Sequence, residues 1–171
     1  MDIETLHLLS KYNEITNHKM NEIIEKLKDE QWDYKFNGFF NSIKILCNHI
    51  YICDFNWLKR FSKLRNFYFN RKGLFDKDIK FSELAFENIG TYKNKRIELD
   101  SEINEFVNEV TSEDLPKQLK YIDSHGREYI RNFGGLIIHM FNHETHHRGM
   151  ISIYLEELGI ANDYSNLMDV V

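Results

Sequence analysis

The sequence predicts an all-α protein, a four-helix bundle with a crossover connection and a short β-hairpin before its last helix. Three observations predict it. One proline, Pro116, stands in 171 residues, so long stretches carry no helix breaker. Apolar residues recur at three- and four-residue steps through four long segments. The connectors after the second and third segments are too long for four tight hairpins, which requires at least one crossover.

The first helix is expected from about Asp2 to Lys28, with Ile3, Leu6, Leu9, Ile15, Ile23, Ile24 and Leu27 broadly at helical spacing. Gln31 to Asn37, ending at Gly38, reads as a loop. The second helix is expected from about Asn41 to Arg65, where Ser42, Ile43, Leu46, His49, Ile50, Cys53 and Trp57 share one stripe. Asn66 to Lys80 mixes basic and aromatic residues around Gly73 and reads as a connector. The third helix is expected to open near Ser82 and to run to about Val110. Asp114-Leu115-Pro116 is a stop. Between Gln118 and Ile130, aromatic and β-branched residues flank Asp123-Ser124-His125-Gly126, which predicts the hairpin. The last helix is expected from about Phe133 to Gly159, with Leu158-Gly159 as its C-cap.

At 42% hydrophobic and 29% charged residues, the chain reads as an ordinary globule, and its length fits one domain over residues 1–171. A formal net charge of −5 argues against a nucleic-acid partner, which needs a concentrated basic surface. The densest basic stretch, Lys59 to Lys72, reads as a solvated helix end and loop. No run approaches 18 apolar residues, so no membrane partner is expected. The acidic start, Met1-Asp2-Ile3-Glu4, has no apolar leader region. Cys47 and Cys53 stand six apart on well-separated helix faces, which disfavours a mutual disulfide and fits a reducing compartment. Together these point to the cytoplasm.

The chemistry concentrates in the last helix. His139, His143, His146 and His147 lie within nine residues there, and His49 stands in the second helix. His143 and His147 are about 40° apart around the axis and about 6 Å apart along it, so their imidazoles can converge on one ion. His139 and His143 have the same spacing, so spacing alone does not choose the pair. The string His143-Glu144-Thr145-His146-His147 also matches the zinc-peptidase motif, which would make Glu144 a general base. Met150 and Ile153 stand where the extended form of that motif needs glycine and histidine. Glu144 is also rotated about 100° from His143, and no upstream sheet is evident to hold a peptide. Cys53, one turn after His49, has ligand spacing, but a buried inert cysteine is the plainer reading. Trp57 reads as core or as a pocket wall. His139 reads as a neighbour that orients a ligand or substrate. Gly149 costs a helix about 1 kcal/mol relative to alanine, which we read as close approach of another backbone.

Asn48-His49 followed by Trp57, together with His139-Met-Phe-Asn142-His143-Glu-Thr-His-His147-Arg148-Gly149, resembles the DinB family of DinB/YfiT-like metalloenzymes. Tyr121 to Gly126 resembles the family's hairpin, and the match covers about residues 3 to 160. The resemblance implies a four-helix bundle with crossover topology and one divalent metal, zinc or nickel. It implies the ligands His49, His143 and His147, with open positions on the ion, and a homodimer. Met150 stands where the family commonly has glutamine. The resemblance further implies a transferase that uses a low-molecular-weight thiol held on the metal, acting on a small-molecule substrate. Two alternatives are a metal-dependent hydrolase and a non-catalytic, damage-inducible stress-response protein that binds metal.

Overall fold

The computed structural model describes residues 1–72, 75, 79–80 and 83–171. Helix α1 (Ile3–Ile24) begins where Asp2 Oδ1 accepts the Thr5 N–H at 2.7 Å. It stops short of Lys28. A single-turn helix, α2 (Asp29–Trp32), follows, partly where a loop was expected. Trp32 accounts for the difference. Its indole is buried against Tyr92, with ring centroids 5.7 Å apart, and its Nε1 donates to the Glu87 carbonyl at 3.2 Å. Burying so large a side chain outweighs the polar character of the segment around it.

Helix α3 (Ile43–Phe61) is capped by Ser42, whose Oγ accepts the Ile45 N–H at 3.2 Å. Helix α4 (Ile89–Glu109) starts later than expected. Ser82 lies outside the described residues, and Glu83 to Asn88 are not helical. The cause is Asn48 on α3. Its Oδ1 accepts the Phe86 N–H at 2.8 Å and its Nδ2 donates to the Phe86 carbonyl at 3.0 Å. Both backbone groups of Phe86 are thereby committed to a side chain and unavailable to a helix. Asn88 Oδ1 then accepts the Thr91 N–H at 2.8 Å and opens α4.

Strands β1 (Gln118–Ile122) and β2 (Glu128–Asn132) pair antiparallel, with Tyr121 opposite Tyr129. Asp123 Oδ1 accepts the N–H groups of His125 and Arg127, and Gly126 takes φ +79° to close the turn. Helix α5 (Phe133–Glu157) begins at Asn132, whose Oδ1 accepts the Gly135 N–H. It ends on Gly159 at φ +73°, with Gly159 N–H donating to Glu156 O and Ile160 N–H to Leu155 O. These two bonds form the Schellman pattern expected of a glycine C-cap.

Helix α1 packs on α4 and α5, and α3 packs on the same two. Ser10 meets Asn104 and Asn17 meets Asp100, so α1 opposes α4. Phe61, Phe106 and Phe133 meet where α3 and α4 end and α5 begins, so α3 and α4 run together and α5 opposes both. Neighbouring parallel helices must be joined by a chain that returns along the bundle. That is the crossover the long 61–89 connector predicts. The aromatic cluster is fully buried with Phe67 and Phe69, each ring contributing roughly 1.5–3 kcal/mol on burial. Among the described residues, no helix is long and apolar enough to cross a membrane.

Candidate metal centre

Helices α3 and α5 bring three imidazoles together. His143 Nε2 lies 3.2 Å from His49 Nε2 and 3.0 Å from His147 Nε2. The ring centroids of His49 and His147 are 4.6 Å apart. The fourth donor near them is Cys53, one turn after His49, whose Sγ stands 3.6 Å from His49 Nε2. The donor atoms of His49, Cys53 and His143 all lie within 4.8 Å of one another. Two triads therefore share His49 and His143, completed by His147 in one and by Cys53 in the other.

Hydrogen bonding does not account for the cluster. A neutral imidazole nitrogen carries either one proton or one lone pair in the ring plane. His143 Nε2 can therefore satisfy only one of its two nitrogen neighbours. The Nδ1 atoms of His143 and His147 are buried without a partner. A single cation between the rings removes the conflict. Nitrogens about 2.0–2.1 Å from one tetrahedral ion stand about 3.3–3.4 Å apart, and a sulfur at about 2.3 Å stands about 3.5 Å from each of them. The separations of His143 Nε2 from His49 and His147, and of Cys53 Sγ from His49, match to within a few tenths of an ångström, and the donor atoms of His49, Cys53 and His143 group closely enough to hold a metal ion.

Burial pulls the pKa of each of the three histidines down to about 4, and repulsion from the neighbouring imidazoles adds to it. At neutral pH all three are unprotonated, the form that ligates metal. Burial pushes the Cys53 thiol up to about 12, and Cys47 likewise; both are free cysteines.

Phe40 covers the cluster and was not singled out by sequence reasoning. Its ring centroid lies 4.4 Å from that of His49 and 5.1 Å from that of His147. The Tyr154 hydroxyl holds this loop by donating to the Phe40 carbonyl at 2.7 Å. Any Cβ on Gly38 would collide with that same hydroxyl, so only glycine fits there. The one available signal was the Phe39-Phe40 pair beside a glycine, which is weak.

The other candidates separate. His139 is exposed, its centroid 6.1 Å from that of His143, and it packs edge-on against Trp57 at 5.3 Å. Trp57 is buried among Phe61, Tyr121 and His139, away from the donor atoms. Glu144 is turned toward α1 and away from the donor nitrogens. Asn13 Nδ2 donates to its Oε1 at 3.0 Å, while Asn17 Nδ2 and Arg148 Nη1 donate to its Oε2 at 3.1 and 2.7 Å. Burial alone would raise its pKa, but the Arg96 and Arg148 guanidiniums pull it below the ordinary value. A carboxylate so engaged has no free lone pair aimed at the histidines. Gly149 corrects an expectation: a Cβ there would meet nothing within 4 Å, so no close approach requires it.

A crossover bundle in which histidines of two facing helices converge is an arrangement in which helical bundles build metal sites. The DinB family model matches residues 1–169, and the chain belongs to the DinB family. The structure is similar to the crystal structure of a DinB-like protein from Bacillus subtilis, with a TM-score of 0.61 and 17% sequence identity. That match covers 92% of this chain and 97% of the other. No curated protein matches the sequence.

Proposed function

We propose that this chain is a metal-dependent S-transferase, with one zinc or nickel ion on His49, His143 and His147 and a low-molecular-weight thiol as cosubstrate. The convergence of three neutral Nε2 atoms carries this reading, because neutral ligands leave a divalent ion its full charge. When bound, such an ion holds a thiol as its thiolate near neutral pH. The chain's own residues then have limited tasks. The histidines stay unprotonated, and Phe40 shields them from water. A cavity of about 240 Å³ adjoins His49, lined in part by Phe40, Ile45, Ile52 and Leu84, and offers apolar walls for a small electrophile. The sulfur lone pair forms a bond to the electrophilic carbon as the leaving group departs with its own pair, and the thiol proton is released to solvent. Glu144 is committed elsewhere and does not serve a hydrolase as base, but a metal-held hydroxide needs no such base, so the hydrolase is the alternative to assay beside thiol transfer. The homodimer expected from the resemblance belongs to the same proposal and is checked by light scattering.

Cys53 favours a second reading. Four donors, His49, Cys53, His143 and His147, would close a tetrahedral site and make the ion structural.

The test begins with elemental analysis of untagged protein beside His143→Ala. One equivalent of metal, lost in the variant, supports the centre; none in either, even after reconstitution, removes it. Turnover of small electrophiles with several thiols, absent from metal-free protein, supports the transferase. A thiolate absorption band in the cobalt-loaded protein, abolished by Cys53→Ser, favours the closed site instead.

A further inference from the structure

A second cleft, of about 660 Å³, lies between the C-terminal half of α3, residues Ile79 and Lys80, and the turn of the hairpin. Its charged lining comprises Lys59, Arg60, Lys63, Lys80, Asp123 and His125. We propose that this cleft binds a small molecule through a carboxylate or phosphate group, with Arg60 and Lys63 as the principal cations.

Arg60 is half-buried and held in place by aromatic rings. Its guanidinium carbon lies 4.6 Å from the Trp57 ring centroid and 5.5 Å from that of Tyr121. Stacking on a ring leaves the edge of the guanidinium fork free, and that edge matches a carboxylate or phosphate bidentately. Among the described residues, neither Arg60 nor Lys63 has a carboxylate within 4.0 Å. Among the described residues, the other buried or half-buried arginines differ: Arg65 holds Asp114, Arg96 holds Asp54 and Asp100, and Arg148 holds Glu144. Burial lowers the Arg60 pKa, as expected of a charge taken from water without full compensation.

Asp123 supplies only part of that compensation. It accepts from the backbone N–H groups of His125 and Arg127 and pairs with the Arg127 side chain at 2.8 Å. Lys80 is 3.5 Å from Glu83, outside the lining. Among the described residues the cleft thus presents two cations, Arg60 and Lys63, without an ion-pair partner, in a chain whose formal net charge is −5. A compact hollow with an acidic group on its wall suits a small anion better than a nucleic-acid backbone, which needs an extended basic track. Arg60 stands 11 residues after His49 on α3, about 16 Å along the axis. The site uses none of His49, His143 and His147 and is independent of the proposed reaction.

Calorimetric titration of the full chain with inorganic phosphate, and separately with citrate, tests the site. The protein is first freed of metal on a chelating resin and held at low ionic strength. Saturable binding of at least one anion is expected, weakened tenfold or more by Arg60→Gln and by Lys63→Glu, and unchanged by Lys26→Gln elsewhere on the surface. Arg60→Gln also removes a stacking partner of Trp57. Lys63 is exposed, so loss of binding in Lys63→Glu at an unchanged melting temperature reports the charge itself. The preferred anion, phosphate or citrate, names the group recognised. No saturable binding of either anion, or equal affinity in both cleft variants, overturns the proposal. So does a duplex oligonucleotide that binds more tightly than both anions and is weakened by the same substitutions.

Discussion

His143 and Glu144 are adjacent in sequence, yet they stand in unlike surroundings. His143 and His147 turn toward α3, where three Nε2 atoms crowd together and two Nδ1 atoms are buried without partners. Glu144 and Arg148 turn toward α1 and join a buried network with Asn13, Asn17, Asp54, Arg96 and Asp100. Two guanidiniums and three carboxyls meet there. Burial, with the Glu144 carboxylate beside it, pushes the pKa of Asp54 well above its ordinary value. Both oxygens of Glu144 are hydrogen-bonded. The contrast teaches that polar residue types do not by themselves mark a site. A network of opposite charges, in which every side chain is hydrogen-bonded although Asp54 Oδ1, Arg96 Nε and Arg148 Nε keep no partner of their own, ties four helices together, whereas donors of one kind that converge with nothing to bind call for a ligand.

The largest expected effect comes from breaking the network. Arg96→Met leaves Asp54 and Asp100 without their cation and should cost about 3–5 kcal/mol in urea unfolding. His143→Ala in metal-free protein should change stability by no more than about 1 kcal/mol, since it removes an imidazole whose buried Nδ1 is already unpaired. If His143→Ala proves the costlier of the two, the comparison fails.

Acidification sharpens it further. The three histidines have folded pKa values near 4 against an ordinary 6.5. Between those values the unfolded chain binds protons that the native state does not, so stability rises with pH across that window. In metal-free protein the histidine contribution should be complete above pH 6.5 and lost progressively as pH falls toward 4. Glu144 acts in a lower window: its depressed pKa stabilises above 4.5 and is lost as pH falls further. The raised carboxyls of Asp54 and Asp100, the latter at about 7, act in the opposite sense over the same range, so the histidine share is the part of the slope that His143→Ala reduces; an unchanged slope in that variant would contradict the neutral, desolvated state of the cluster.

The smallest effect tests the helix that carries both faces. Gly149 is exposed in α5 with open space about it. Gly149→Ala should stabilise by about 1 kcal/mol, leaving metal content unchanged. Destabilisation would restore a close approach there.

Much of the fold was legible because its signals are local. Ser42, Asn132 and Gly159 bound their helices through bonds to groups within five residues, and Asp123 with Gly126 builds the hairpin turn the same way. The late start of α4 was not legible, because Asn48 reaches Phe86 across 38 residues. Nor was α2, whose Trp32 is buried by contacts with Glu87 and Tyr92 far along the chain.

At the histidines, the four-residue step from His143 to His147 follows from helix geometry alone, as does the rotation that turns Glu144 away. Spacing left His139 and His143 as an equal alternative. Only the packing of α5 on α3 sets His143 and His147 against His49 and leaves His139 against Trp57. The same packing brings Cys53 to the cluster and, through Tyr154, lays Phe40 over it. Period, caps and turns are properties of neighbouring residues, and the sequence by itself determined them. Which donors meet across two helices depends on how those helices dock, and that was decided by the tertiary structure.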